Sequence, residues 1–330
     1  MTPLATWRQP DELAAQVRAG SRAALARAIT LVESRAPAQR PAAHELLRLL
    51  LPHSGNSIRL GISGVPGAGK STFIDAFGMH LLHGGRRVAV LAVDPSSGRS
   101  AGSILGDKTR MQRLSMDERA FVRPSPTSGT LGGVASRTRE AMYLCEAAGF
   151  DTIIVETVGV GQSEITVAGM VDVYMLLLLG GAGDELQGIK KGVLEWADIL
   201  AVNKADGAGE RPARLAQREL TQALHYAGGD RGPWTPVVRT CSALHGIGIA
   251  ELWDDVQAYR QTLGDAGVAE RRAHQQRDWM WSLIREGLED QFRNTPSVAA
   301  ALSTIVDSVQ RGEFGASEAA DRLLAMFSET

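Results

Sequence analysis

Cysteine and lysine are scarce in this chain, aromatic residues are few, and there is no long apolar run. Cys145 and Cys241 are the two cysteines in 330 residues. They form neither a Cys-x-x-Cys pair nor a Cys/His cluster, which argues against a disulfide framework or a zinc site and for a reducing compartment. No stretch approaches the roughly 20 apolar residues that cross a bilayer. The segment MTPLATWRQPDELAAQVRAG lacks the apolar centre of a secretory signal, so a cytoplasmic location without a membrane partner is expected. The net charge is −2 and the isoelectric point about 6.4, which gives no electrostatic reason to expect nucleic acid. Of 35 basic residues, five are lysines: Lys70, Lys108, Lys190, Lys191 and Lys204. Where arginine is so strongly preferred, a retained lysine marks a position suited to a compact charge on a flexible stem.

What is present is a patterned α/β chain. Residues 10–51 carry helical apolar spacing, broken at Gly and Pro. From residue 57 short apolar runs take over, at 58–63, 88–94, 121–123, 152–157, 173–179, 199–203 and 237–242. Helical patterns lie between them at 132–148, 188–197, 210–228 and 247–263. Strands this uniformly apolar, alternating with helices, predict a mostly parallel sheet covered on both faces. Beyond about 265 the pattern is helical alone, over 268–293, 297–311 and 316–328. The expected division is an N-terminal helical extension (1–54), a central α/β domain (55–264) and a C-terminal helical arm (265–330).

The stretch GISGVPGAGKST fixes the chemistry of the central domain. Gly64, four free positions (Val65, Pro66, Gly67, Ala68), then Gly69, Lys70, Ser71 and Thr72 follow a strand and open a helix. This is the context of a phosphate-cradling loop. Glycines turn successive N–H groups toward an anion, Lys70 reaches the β and γ phosphates, and Ser71 ligates Mg²⁺. The helix adds its positive end.

The base is read from ILAVNKADG. A carboxylate at Asp206 accepts from N1–H and the exocyclic amine of guanine, whereas adenine has no donor at N1, so GTP and GDP are expected rather than ATP. Asn203 is expected on the other edge of the base and the Lys204 stem over its face. Ser242, Ala243 and Leu244, after the last strand, are expected to present N–H groups to guanine O6.

Two acids close strands at the edge where parallel sheets deliver ligand groups, Asp94 and Glu156. One is expected to hold Mg²⁺ directly or through water, the other to position water or a switch segment; Asp107 is a third candidate. The segment ETVGVGQSE resembles the DxxG switch of GTPases with Glu in place of Asp. Gly159 would then donate its N–H to the γ phosphate, a contact present with GTP and lost with GDP. The residue after that glycine is Val160, where a water-orienting Gln is common; Gln162 lies two residues on. Slow hydrolysis that depends on a partner is therefore expected. GGAGDELQGIKKG, rich in glycine and carrying Lys190 and Lys191, reads as a further switch.

Together, GVPGAGKST, VLAVDPSS, GSILGDKTRM, ETVGVGQSE, GDELQGIKKG and NKAD resemble one family, the methylmalonyl-CoA mutase-associated GTPases of MeaB/ArgK type. The resemblance spans nearly the whole chain. It implies a homodimeric P-loop G protein with a C-terminal dimerisation arm, Mg²⁺ near Ser71, Asp94, Asp107 and Glu156, and a third switch around 180–191 with Lys190 in a catalytic role. It also implies a chaperone of an adenosylcobalamin-dependent acyl-CoA mutase. Two other classes share the phosphate loop. A small-molecule kinase of the arginine/ornithine transport type would bring an acceptor-binding lid, which the sequence does not suggest. A metal-insertion GTPase would bring Cys/His clusters, which two cysteines and seven histidines do not supply. In RDWMWSLIREGLEDQF, Trp281, Ile284, Leu288 and Phe292 fall on one helical stripe, expected at a dimer seam.

Overall fold

The computed structural model describes residues 9–34, 36–93, 111–124, 131–157, 163–181, 191–226 and 233–328. Seven strands appear where the apolar runs predict them. They are β1 (Ile58–Gly64), β2 (Val88–Val93), β3 (Ala120–Arg123), β4 (Thr152–Thr157), β5 (Val173–Leu179), β6 (Ile199–Asn203) and β7 (Val237–Thr240). All pair in parallel, in the order β3-β2-β4-β1-β5-β6-β7. Strand β1 is buried along its whole length, as expected of a central strand covered on both faces. The fold is therefore the expected α/β class with helical additions.

The helices are α1 (Pro10–Arg18), α2 (Arg22–Val32), α3 (Arg40–Leu50), α4 (Lys70–His83), α5 (Gln112–Met116), α6 (Leu131–Ala147), α7 (Ser163–Ala168), α8 (Lys191–Trp196), α9 (Glu210–Tyr226), α10 (Ile249–Asn294), α11 (Pro296–Gln310) and α12 (Ala316–Ser328). Two apolar layers sandwich the sheet. Leu25, Ile29 and Leu46 of the N-terminal helices share one layer with Met142 and Leu144 of α6 and Val155 of β4. On the other side Phe73, Ile74 and Phe77 of α4 pack with Leu60, Ile62 and Trp253. The N-terminal helices thus belong to the same core as the sheet.

The chain divides into two compact units, residues 1–275 and 276–330. Helix α10 is interrupted at Gly264, whose φ of 64° and ψ of 173° are not helical; the two helical patterns read from the sequence meet there. In the second unit Val298, Ile305, Ala319 and Leu323 form a small core with Phe292 and Phe327. Phe292 thus turns inward to that core, whereas Trp281, Ile284 and Leu288 are exposed. Among the described residues no helix is long and apolar enough to cross a membrane.

Buried charge concentrates where β1 and β5 begin. Arg59 donates to Glu146 of α6 through Nε and Nη2 at 2.8 and 2.9 Å, and Tyr143 lies under its guanidinium. Glu146 also accepts from Gly55 N and Ser57 Oγ. Arg272 donates to both oxygens of Asp172 at 2.7 and 2.6 Å and to the carbonyls of Gly55 and Ser57. A buried ion pair is tolerated when its remaining bonding capacity is filled in this way. This end of the sheet is locked; the opposite end carries the loops.

Candidate nucleotide site

The loop after β1 is shaped by two glycines. A Cβ on Gly64 would lie 2.5 Å from the Leu177 carbonyl oxygen, so a side chain here would drive the loop off the sheet. Gly69 precedes α4 with φ 83° and ψ 31°, the left-handed conformation that favours glycine. By helix geometry the N–H groups of Lys70, Ser71 and Thr72 in the first turn of α4 have no partner within the helix, as an anion site requires. Val65, Ser71 and Gly69 are half-buried, Ala68 is buried, and Pro66, Gly67 and Thr72 are exposed.

Lys70 folds back over this loop and donates to the Gly64 carbonyl at 2.7 Å. Burial lowers the pKa of its ammonium, and the charges of Glu156 and Glu164 oppose that effect. Glu156 is 3 % exposed near the end of β4, in register with Ile62 of β1 and Ala92 of β2. The neighbouring Thr157 hydroxyl donates to Ser63 at 2.7 Å, tying the end of β4 to the root of the phosphate loop. Ser71, next in sequence to Lys70, and Glu156, whose charge acts on Lys70, are hard oxygen donors of the kind that suits Mg²⁺. Asp94, Asp107, Gly159, Val160, Gln162 and Lys190 lie outside the described residues.

Asn203, expected on one edge of the base, is 2 % exposed and both ends of its amide have partners inside the protein. Nδ2 donates to the Ala68 carbonyl at 2.8 Å, while Oδ1 accepts from Ala243 N at 3.0 Å and lies 3.6 Å from Cys241 Sγ. One side chain therefore fastens the phosphate loop to the loop after β7. The Ala243 N–H donates to Asn203, and Ser242 N donates to the Ile247 carbonyl. Of the three N–H groups expected to meet O6, that of Leu244 makes no such bond among the described residues.

Lys204 has a φ of 59°, the positive-φ conformation found among the described non-glycine residues at this position alone. The turn buries Asn203 while leaving Lys204 exposed and Asp206 accessible at the surface. The Asp206 carboxylate is met by His245, with Nε2 3.2 Å from Oδ2. The phosphate loop, a buried acid and the accessible Asp206 thus lie on the loop side of one parallel sheet, the placement of ligand groups in open α/β folds.

Three residues here escaped the sequence reading. Glu164, in the first turn of α7, is 4 % exposed and charges the surroundings of Lys70. Its signal was an acid opening a helix directly after a switch-like segment. Asp75, buried on α4, accepts from Leu114 N at 3.0 Å and Arg113 Nε at 2.7 Å, holding the segment that follows 94–110. An acid on the apolar stripe of α4 was visible in the sequence, its partner was not. His245 had no sequence signal.

The family model of the methylmalonyl-CoA mutase-associated GTPase MeaB matches residues 25–297. A Mycobacterium bovis protein named as a probable GTPase is 56 % identical over 321 residues, covering 97 % of this chain and 96 % of its own. The mouse methylmalonic aciduria type A homolog, a mitochondrial protein, is 47 % identical over 328 residues, covering 96 % and 79 %. The Escherichia coli GTPase ArgK is 50 % identical over 279 residues, covering 84 % and 83 %. A crystal structure described as an LAO/AO transport system kinase superposes over all of both chains with a TM-score of 0.79 at 37 % identity. With the family model spanning most of the chain and these relatives similar over more than three quarters of their own lengths, this protein belongs to the MeaB family of methylmalonyl-CoA mutase-associated GTPases.

Proposed function

We propose that this GTPase is the chaperone of an adenosylcobalamin-dependent acyl-CoA mutase, with methylmalonyl-CoA mutase foremost, and that it uses GTP to gate cofactor delivery and to protect or rescue that enzyme. The observation that carries the reading is the Asn203 bridge between the phosphate loop and the loop after β7 in a chain matching a mutase-associated family. Residues that read the base and residues that hold the phosphates are thereby mechanically one unit, as a nucleotide-driven switch requires.

In this reading Gly64–Thr72 cradle the phosphates, Lys70 neutralises charge developing on the β–γ bridge, and Asp206 selects guanine, with the Lys204 stem over the ring. Ser71 and Glu156, with Asp94 and Asp107, would hold Mg²⁺, which supplies further neutralisation of the phosphates. Gly159 senses the γ phosphate, and Lys190 completes the site when the partner binds. Val160 cannot hold a water, so chemistry waits for that partner. The exposed Trp281, Ile284 and Leu288 form the seam of a homodimer, and the protein works in the cytoplasm.

The test is GTP hydrolysis by the purified protein with and without the cognate mutase. The mutase should raise kcat at least about tenfold, equivalent to about 1.4 kcal/mol of barrier. A fast enzyme that ignores every mutase offered refutes the proposal. The name of the superposing crystal structure favours a second reading, a transport-system kinase. ATP preferred over GTP, with phosphate transferred to an amino-acid or protein acceptor rather than to water, would establish that reading instead.

A further inference from the structure

We infer that His245 is a built-in competitor for the base-reading carboxylate, setting how tightly guanine is held. The inference rests on the assignment of Asp206 as the guanine reader. The imidazole Nε2 lies 3.2 Å from Asp206 Oδ2, with the His245 side chain 55 % exposed and that of Asp206 26 % exposed. Guanine offers two parallel donors, N1–H and the exocyclic amine, and two parallel donors take both carboxylate oxygens. A ring N–H on Oδ2 stands where one of them must arrive.

Two observations distinguish competition from support. First, Asp206 does not need the imidazole to be placed. Its carbonyl accepts from Gly209 N at 2.8 Å, and the preceding Ala205 N donates to the Cys241 carbonyl at 2.9 Å, so the main chain holds the turn. Second, His245 can leave without cost to its loop. Ser242 and Ile247 exchange both main-chain hydrogen bonds, at 2.9 and 3.1 Å, and His245 N donates to Ser242 Oγ at 3.3 Å. The backbone stays fixed while side-chain torsions swing the ring into water. An exposed pair of this kind is weak. Guanine therefore displaces it, binding less tightly than to an unobstructed carboxylate. When the base departs, the imidazole reclaims Asp206 and hinders rebinding.

Isothermal titration of the full-length protein with GDP and with ADP tests this. His245→Ala should tighten GDP about two- to fivefold, the scale of one exposed pair, and leave ADP, which makes no use of Asp206, unchanged. His245→Gln, which keeps a donor of similar reach, should stay close to wild type. Unchanged or weakened GDP binding in His245→Ala overturns the inference, as does equal tightening of GDP and ADP. The guanine assignment is judged separately, by the preference of the wild type for GDP over ADP and its loss in Asp206→Asn. If that preference holds while His245→Ala fails to tighten GDP, the competitor role alone falls; if it is absent, the assignment falls.

Discussion

Replacing Asn203 by alanine would separate two loops that this one amide joins. The substitution removes a donor to the Ala68 carbonyl at 2.8 Å and an acceptor from Ala243 N at 3.0 Å, both inside a region closed to solvent. Each bond contributes about 1 kcal/mol net, and a buried group left without a partner costs about 1–3 kcal/mol. Water entering the space vacated by the amide recovers part of this. A loss on the order of 3 kcal/mol follows, which for a unit of this size lowers the melting temperature by roughly 5–10 °C. The assay is thermal unfolding by circular dichroism without added nucleotide, beside GDP titration of the same samples. Both stability and affinity should fall. If affinity falls while the melting temperature moves by less than about 1 °C, Asn203 acts on the base and its internal bonds contribute nothing measurable, which refutes the bridging role.

Other expectations follow from the same structure. Burial raises the Glu140 carboxyl to about 7, against the opposing charges of Arg137 and Arg40. The folded state thus holds this proton more tightly than the unfolded chain, a contribution complete below the usual glutamate range and gone once pH exceeds about 7. Glu140→Gln should therefore match wild type in urea melts at pH 4.5 and exceed it by on the order of 2 kcal/mol at pH 8; equal stability at both would remove the argument. Glu146→Ala strands the buried Arg59 guanidinium and should cost about 3–5 kcal/mol in denaturant unfolding, whereas Arg48→Ala, which breaks an exposed pair with Glu45, should leave the unfolding midpoint close to wild type. Joint replacement of Lys190 and Lys191 by alanine is expected to leave GDP affinity near wild type and to abolish stimulation by the mutase, read as GTP hydrolysis with and without that enzyme.

The sheet was legible because each strand is a short apolar run bounded by turn residues, and the break in α10 because its two apolar patterns stop on either side of Gly264. The last strand was expected to reach 242 but ends at Thr240, because Ser242 leaves the ladder to pair with Ile247. The phosphate loop was legible for a different reason: its function depends on main-chain geometry, and glycine spacing records that geometry directly. Asn203 was found in the sequence, but its partners inside the protein were not. Its partners lie 135 and 40 residues away, and nothing local distinguishes an amide aimed at a base from one aimed at a carbonyl. The Arg59–Glu146 pair was hidden for the same reason, since an arginine in an apolar strand reads as an interruption until its partner 87 residues on is known.

The strand order has a consequence for synthesis on the ribosome. Strand β1, which bears the phosphate loop, is paired on one side by β4 and on the other by β5. Neither neighbour exists when β1 leaves the exit tunnel. At about 5–20 residues per second, the gap between Gly64 and Leu179 is on the order of ten seconds of translation. Until β4 is made, IRLGISG, a wholly buried strand in the finished protein, has no strand neighbour, and its second edge stays open until β5 follows. The helices made before it pack mainly against one another and against α6, which is translated later still. The nascent chain thus carries the strand that bears the phosphate loop with its edges open until its neighbours have been made. Rare codons between β1 and β5 should lower soluble yield more than the same codons placed after residue 180.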